Sequence, residues 1–262
     1  MRQTGTSLLV GAVLAFIASL SMHGLADISA TPPAIQFDSD LIAALAAQTP
    51  VDMVDILLVP RSAASLSLLL VLGCALAYHA LRRWDADVAP AYGSKASFAR
   101  YRPQSSLTRH APLAVGLLAG ALWPWLEISR PLTALVLAGI MATGLVVAAL
   151  AGVRQEGRLR KSAALCFVAG WATLAASAML ASLLQHDLGA PPLLAACLGL
   201  SLAAVLTVSV QLRLGRMISY SVAVIWGLIA IAAGAMLDNV GMATLAVLAI
   251  AVIAFALVQV ST

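Results

Sequence analysis

The sequence predicts an all-α fold: a polytopic transmembrane helical bundle of about eight spans. Three observations predict it. Charge is scarce, apolar runs reach membrane-crossing length, and the basic residues segregate by loop. Hydrophobic residues make up 62% of the chain, only 10% are charged, and mean hydropathy is +0.99. A soluble domain carries about 25% charged residues. The chain therefore has too little polar surface to cover a water-soluble globule, and its solvent is lipid.

A hydrocarbon core of about 30 Å needs roughly 20 apolar helical residues. Runs of that kind fall at 6–26, 62–81, 111–128, 131–152, 162–185, 191–212, 217–237 and 240–260. They are continuous rather than alternating, which favours helices over a barrel. Ala and Leu, both strong helix formers, dominate them. The whole chain, 1–262, reads as one integral membrane domain. It carries an outer amphipathic segment at 27–60 and a basic cytoplasmic loop at 82–110.

The charges set the orientation. With a cytoplasmic start, one side holds Arg2, Arg82, Arg83, Lys95, Arg100, Arg102, Arg109, Arg154, Arg158, Arg160, Lys161, Arg213 and Arg216, which is 13 of the 15 basic residues. The other side holds Arg61, Arg130 and 8 of the 11 acidic residues. The positive-inside rule puts the basic side in the cytoplasm. Both termini are then cytoplasmic, in a bacterial inner membrane. Arg2, the run from Ser7 to Leu20 and Gly24-Leu25-Ala26 also fit a cleaved signal peptide, which leaves seven spans.

In the outer segment, Asp38, Ser39 and Asp40 are N-cap residues for a helix through Leu41 and Leu45, ended by Pro50. Val51, Val54 and Leu58 suggest a second short turn. These pieces read either as a helix lying on the outer membrane face or capping the bundle, or as a lid over a ligand cavity. The 82–110 loop mixes Arg82-Arg83, Trp84, Tyr92 and Arg100-Tyr101-Arg102, a pattern suited to anionic lipid headgroups. It excludes a nucleic-acid site as the economical reading, because topology already demands those charges.

No catalytic constellation is visible. H-E-x-x-H, G-x-S-x-G and Walker A sequences are missing, and almost no charge falls inside a span. The chain reads as a non-enzyme. Cys74, Cys166 and Cys197 sit singly in spans as packing residues, with no metal-ligand spacing. His23 and His186 belong near the outer surface as interfacial residues. Glu127 and Arg130 are placed to pair at the outer interface, beside Trp123 and Trp125 as an aromatic belt. Gly116, Gly120, Gly139, Thr143 and Gly144 suggest close helix packing.

Trp171, in Gly170-Trp171-Ala172-Thr173, and Trp226, in Tyr220-Ser221-Val222-Ala223-Val224-Ile225-Trp226-Gly227-Leu228, lie away from span ends. At such depth a large aromatic either fills the bundle or lines a cavity for a flat apolar ligand. These two segments resemble the longer bacterial members of the tryptophan-rich sensory protein (TspO/MBR-like) group, over about residues 160–262. The resemblance implies a membrane-embedded sensor or carrier that binds a porphyrin-type tetrapyrrole or another flat hydrophobic molecule. Its implied ligand-binding residues here are Trp171, Trp226, Trp123 and Tyr220. The chain has five Trp in all, and Ser62-Ala63-Ala64-Ser65-Leu66 replaces the aromatic, Pro-containing region of the group. The partners expected are the lipid bilayer, from composition, a hydrophobic small molecule, from the resemblance, and a second copy or a membrane complex. The alternative reading is a structural or assembly subunit of such a complex.

Overall fold

Each apolar run becomes one long helix. The computed structural model describes residues 2–29, 52–60, 62–88, 106–151, 153–155, 158–160, 162–215, 217–236 and 239–261. The long helices are α1 (Arg2–Ser29), α3 (Ala63–Val88), α4 (Ser106–Leu126), α5 (Pro131–Ala151), α6 (Ala163–His186), α7 (Pro192–Leu214), α8 (Ser219–Ala235) and α9 (Val240–Ser261). A short helix, α2 (Met53–Leu58), precedes α3. Among the described residues, six helices are long and apolar enough to cross a membrane. The apolar parts of the other two, Ala111–Leu126 in α4 and Ser219–Ala235 in α8, are shorter. The protein is thus an all-α, multi-pass bundle.

Two local features differ from expectation. The connection after α5 holds a small antiparallel hairpin, β1 (Val153–Gln155) and β2 (Arg158–Arg160), with Arg154 opposite Leu159. The basic loop is shorter than 82–110, because α3 continues through Arg82-Arg83-Trp84 to Val88. A helix satisfies its own backbone and need not stop at the membrane boundary. The expected helix at 38–50 and the Tyr92 to Arg102 stretch lie outside the described residues.

The centre of the bundle is α6. Every residue from Leu165 to Ala175 is buried, and α2, α3, α5, α7 and α8 all pack against it. A helix apolar on all sides suits that place. Its small residues let neighbours come close, as lipid-embedded packing requires. At Gly170 an added Cβ would collide with the Tyr220 carbonyl oxygen of α8. The expected close approach of α4 and α5 is also present. A Cβ on Gly144 would lie 2.6 Å from the Pro112 carbonyl oxygen and 3.1 Å from the Gly116 Cα. Gly139 and Thr143 do not share in it: Gly139 has open space at its Cβ position, and Thr143 is exposed.

Cross-helix contacts fix the alternation of the helices. At one end, late α1 meets late α4, where Trp125 Nε1 donates to Ser19 Oγ at 2.7 Å and the His23 and Trp125 rings meet edge to face. Late α6 joins them there through Ser182 and Asp52, just before α2. At the other end, His79 of late α3 lies 3.2 Å from Ser162, the N-cap of α6. Gln211 Nε2 at the end of α7 there donates to the Gly215 and Met217 carbonyls, while Ser221 of α8 donates to Gln211 Oε1. This last network holds the α7–α8 turn, which Gly215 makes at a φ of +65°.

Candidate functional site

The four sequence-derived residues fall on three helices of the interior, and their surroundings differ. Trp171 lies on the central helix at 0% exposure, with the Phe16 ring of α1 edge to face at 6.0 Å. Tyr220, at the start of α8, is equally enclosed, and its hydroxyl lies 2.7 Å from Thr173 Oγ1. Thr173 Oγ1 also donates to the Ala169 carbonyl. Gly170 makes this pairing possible, since it lets the Tyr220 backbone lie against α6. Trp171 and Tyr220 thus belong to one α6–α8 seam. Trp226 sits further along α8, half-buried, edge to face with Phe167 at 6.2 Å.

Trp123 is the correction. The belt reading covered Trp123 and Trp125 alike, but Trp123 is at 0% exposure and Trp125 at 49%. Two helical steps turn a side chain by roughly 200°, so the two indoles point to opposite faces of α4. Of the two, only Trp125 is exposed, as the belt reading requires. Among the described residues, Trp123 Nε1 and Trp171 Nε1 are buried donors with no hydrogen-bond partner. Buried polar groups are nearly always paired.

A pocket of about 60 Å³ opens between α1 and α3, and Phe16, which meets Trp171 edge to face, is one of its lining residues. Phe16, Leu20 and Ser21 line it from α1, and Leu69, Leu72 and Gly73 from α3. Gly73 has nothing within 4 Å of its Cβ position, so the mouth is open there.

A second polar arrangement sits around α2. Six residues of helix do not hold together alone. Asp52 caps α2, accepting from the Val54 N–H at 2.9 Å through Oδ1. Asp52 Oδ2 accepts from Ser182 Oγ at 2.8 Å and lies 3.7 Å from His186 Nδ1. The apolar side of α2 is seated against glycines of other helices. The Cβ positions of Gly199, Gly227 and Gly234 lie 3.3 to 3.5 Å or less from Met53, Leu57 and Ile56. Gly24 faces the Leu58 carbonyl at 3.1 Å. The short turn expected at 51–58 is therefore a plug set into the bundle end. Sequence reasoning missed the polar tie because Asp52 and Ser182 are 130 residues apart.

The Asp-Ser-His grouping is not arranged as a nucleophile relay. In such a relay His lies between Ser and Asp and takes the Ser proton. Here Ser182 donates straight to Asp52, and His186 Nδ1 is nearer the Ser182 carbonyl, at 3.1 Å, than its hydroxyl, at 3.4 Å. The grouping ties α2 to α6. Cys74, Cys166 and Cys197 lie on three different helices and form no disulfide with one another. Among the described residues, no group of His, Cys, Asp or Glu is disposed to hold a metal ion.

Glu127, in the turn after α4, faces this end. Among the described residues it makes no ion pair with Arg130, which is exposed. The charges that act on it are those of Asp52 and Asp55. Burial and those two carboxylates push its carboxyl from the usual 4.5 up to about 8. The folded state therefore holds the proton more tightly than the unfolded chain does. Its contribution to stability is whole below about pH 4.5 and is lost as pH rises through about 8. We expect melting temperature to fall between about pH 5 and about pH 9, and Glu127→Gln to flatten that slope. Parallel slopes for the two proteins, measured by thermal unfolding in detergent, would contradict it.

No family model, curated protein or solved structure matches the chain.

Proposed function

We propose that the chain is a non-catalytic binding protein of the membrane interior, a sensor or carrier for a flat hydrophobic ligand such as a tetrapyrrole. One observation carries this reading: two enclosed indoles, Trp123 and Trp171, whose N–H donors lack partners among the described residues. A buried donor left unpaired costs about 1–3 kcal/mol. A planar aromatic ligand with carboxylate or carbonyl acceptors would remove that cost and stack on the rings. The resemblance of residues 160–262 to the tryptophan-rich sensory proteins points the same way, with Trp226 and Tyr220 on the same pair of helices as Trp171. Ligand pockets are typically about 300–1,000 Å³, and the α1–α3 pocket is about 60 Å³. A tetrapyrrole-bound form must then be more open than this one. By the positive-inside pattern, the bundle sits in a bacterial inner membrane with both termini and the hairpin on the cytoplasmic side.

The test is a titration of the purified protein in lipid nanodiscs with protoporphyrin IX, following tryptophan fluorescence against empty discs. The reading expects saturable quenching, with the saturable part lost on Trp171→Phe and reduced on Trp226→Phe. Quenching no different from that of empty discs, with free Trp added, overturns it.

A second reading, a structural or assembly subunit of a larger membrane complex, is supported by the outward glycines. Gly11, Gly73 and Gly139 have open space at their Cβ positions, and small residues on a lipid-facing surface let another helix approach. That reading expects no saturable quenching and a cross-linkable neighbour at these positions.

A further inference from the structure

Phe16 belongs both to the lining of the pocket between α1 and α3 and to the surroundings of the Trp171 indole. Phe16 lines the pocket, and its ring stands edge to face with Trp171 at 6.0 Å and 84°. On the α4 side the ring has no room to move. It lies in a notch left by Gly120, where an added Cβ would be 2.6 Å from Phe16 Cε2 and 2.8 Å from the Met141 sulfur. On the α1–α3 side it faces the pocket, whose wall at Gly73 is open. Behind Phe16 is an enclosed N–H donor with no partner among the described residues.

We propose that Phe16 is a gate, and that the α1–α3 groove is the route by which a flat apolar ligand passes from the lipid to Trp171. The inference rests on the ligand-binding reading above and names the path to that same site. The side chains lining the groove are apolar apart from that of Ser21, so a molecule dissolved in the acyl chains meets a mainly apolar wall. A change of side-chain rotamer takes the ring off Trp171, a motion available to Phe without unwinding α1. Gly73 keeps the mouth wide, since any side chain there would project into the passage.

A residue on a route, and not at the final site, changes the rates of entry and exit by the same factor and leaves the equilibrium alone. This gives a test that binding alone does not pass. Protoporphyrin IX is mixed by stopped flow with the full-length protein in nanodiscs, and Trp171 quenching is timed for wild type, Gly73→Leu, Phe16→Ala and Gly139→Leu. Gly73→Leu and Gly139→Leu both place a side chain where space is open, so both fold. The gate expects Gly73→Leu to slow entry and exit by about tenfold, equivalent to about 1.4 kcal/mol of barrier, with Kd held within about twofold. Phe16→Ala speeds both, and Gly139→Leu changes neither. Saturable quenching with equal rates in Gly73→Leu and wild type overturns the route and leaves the ligand reading standing. A Kd weakened as much as the entry rate, with exit unchanged, also overturns it, because Gly73 then belongs to the site. No saturable quenching in wild type overturns the ligand reading, and the route with it.

Discussion

Gly170→Leu is expected to abolish the folded bundle, while Gly139→Leu leaves it intact. At Gly170 even the first carbon of a side chain collides with the Tyr220 carbonyl oxygen and comes within 3.1 Å of the Ala223 Cβ. The obstructing atom is backbone, so no rotamer change relieves it. Inserting methylenes into a well-packed core costs about 1–3 kcal/mol when side chains can adjust. Separating α6 from α8 costs more, because it also opens the Thr173–Tyr220 hydrogen bond and unseats the helix on which five others pack. Gly139 has nothing within 4 Å of its Cβ position, and a lipid-facing Leu there is neutral to within about 0.5 kcal/mol. Thermal unfolding and size-exclusion profiles of the two variants in one detergent check this. Equal melting would mean that α6 and α8 are further apart than described.

Trp171→Ala is expected to cost about 3–5 kcal/mol, the range for removing a large aromatic from a core. Trp171 is at 0% exposure, with Phe16 on one side and α6 neighbours around it. Rigid helices on all sides prevent collapse, so most of the volume remains as a cavity. Trp226→Ala costs less, because that ring is half-buried and lipid can replace it. Cavities with apolar walls take up small aromatic molecules. Added indole should therefore raise the melting temperature of Trp171→Ala and leave wild type and Trp226→Ala unmoved. An equal loss of stability in both variants would contradict the burial difference.

How much of this was legible in the sequence depends on the solvent. Lipid demands an unbroken apolar run for every crossing, so the run at 131–152 became Pro131–Ala151 and that at 191–212 became Pro192–Leu214. What a run does not encode is which of its faces meets protein. Trp123 and Trp125 share a motif, and only packing against other helices decided that one is buried and the other exposed. The same limit hid Phe16, an ordinary apolar residue of α1 until Trp171 is placed against it. The α2 plug was visible only as Val54 and Leu58 at four-residue spacing. Its socket is built from Gly24, Gly199, Gly227 and Gly234, on three other helices, and no local pattern joins them. Glu127 and Arg130 looked like partners by spacing. Burial, with Asp52 and Asp55 far off in sequence adding to it, sets the carboxyl instead. The α6 sequence gave one useful sign, since a helix apolar on every face belongs in a core or in lipid. Choosing between those needed the neighbours.

The bundle as described requires each long helix to carry the chain across the membrane, and α8 is the hardest case. Its 17 residues span about 26 Å at about 1.5 Å per residue, just short of a hydrocarbon core of about 30 Å. Paired reporters, alkaline phosphatase and green fluorescent protein, fused after Asp187, after Gly215 and after Asn239 test the point directly. Alternation predicts phosphatase activity at Asp187 and Asn239 and fluorescence at Gly215. Fluorescence at both Gly215 and Asn239 would leave α8 on one side of the membrane, and the seam that holds Trp171 against Tyr220 would have no place in lipid.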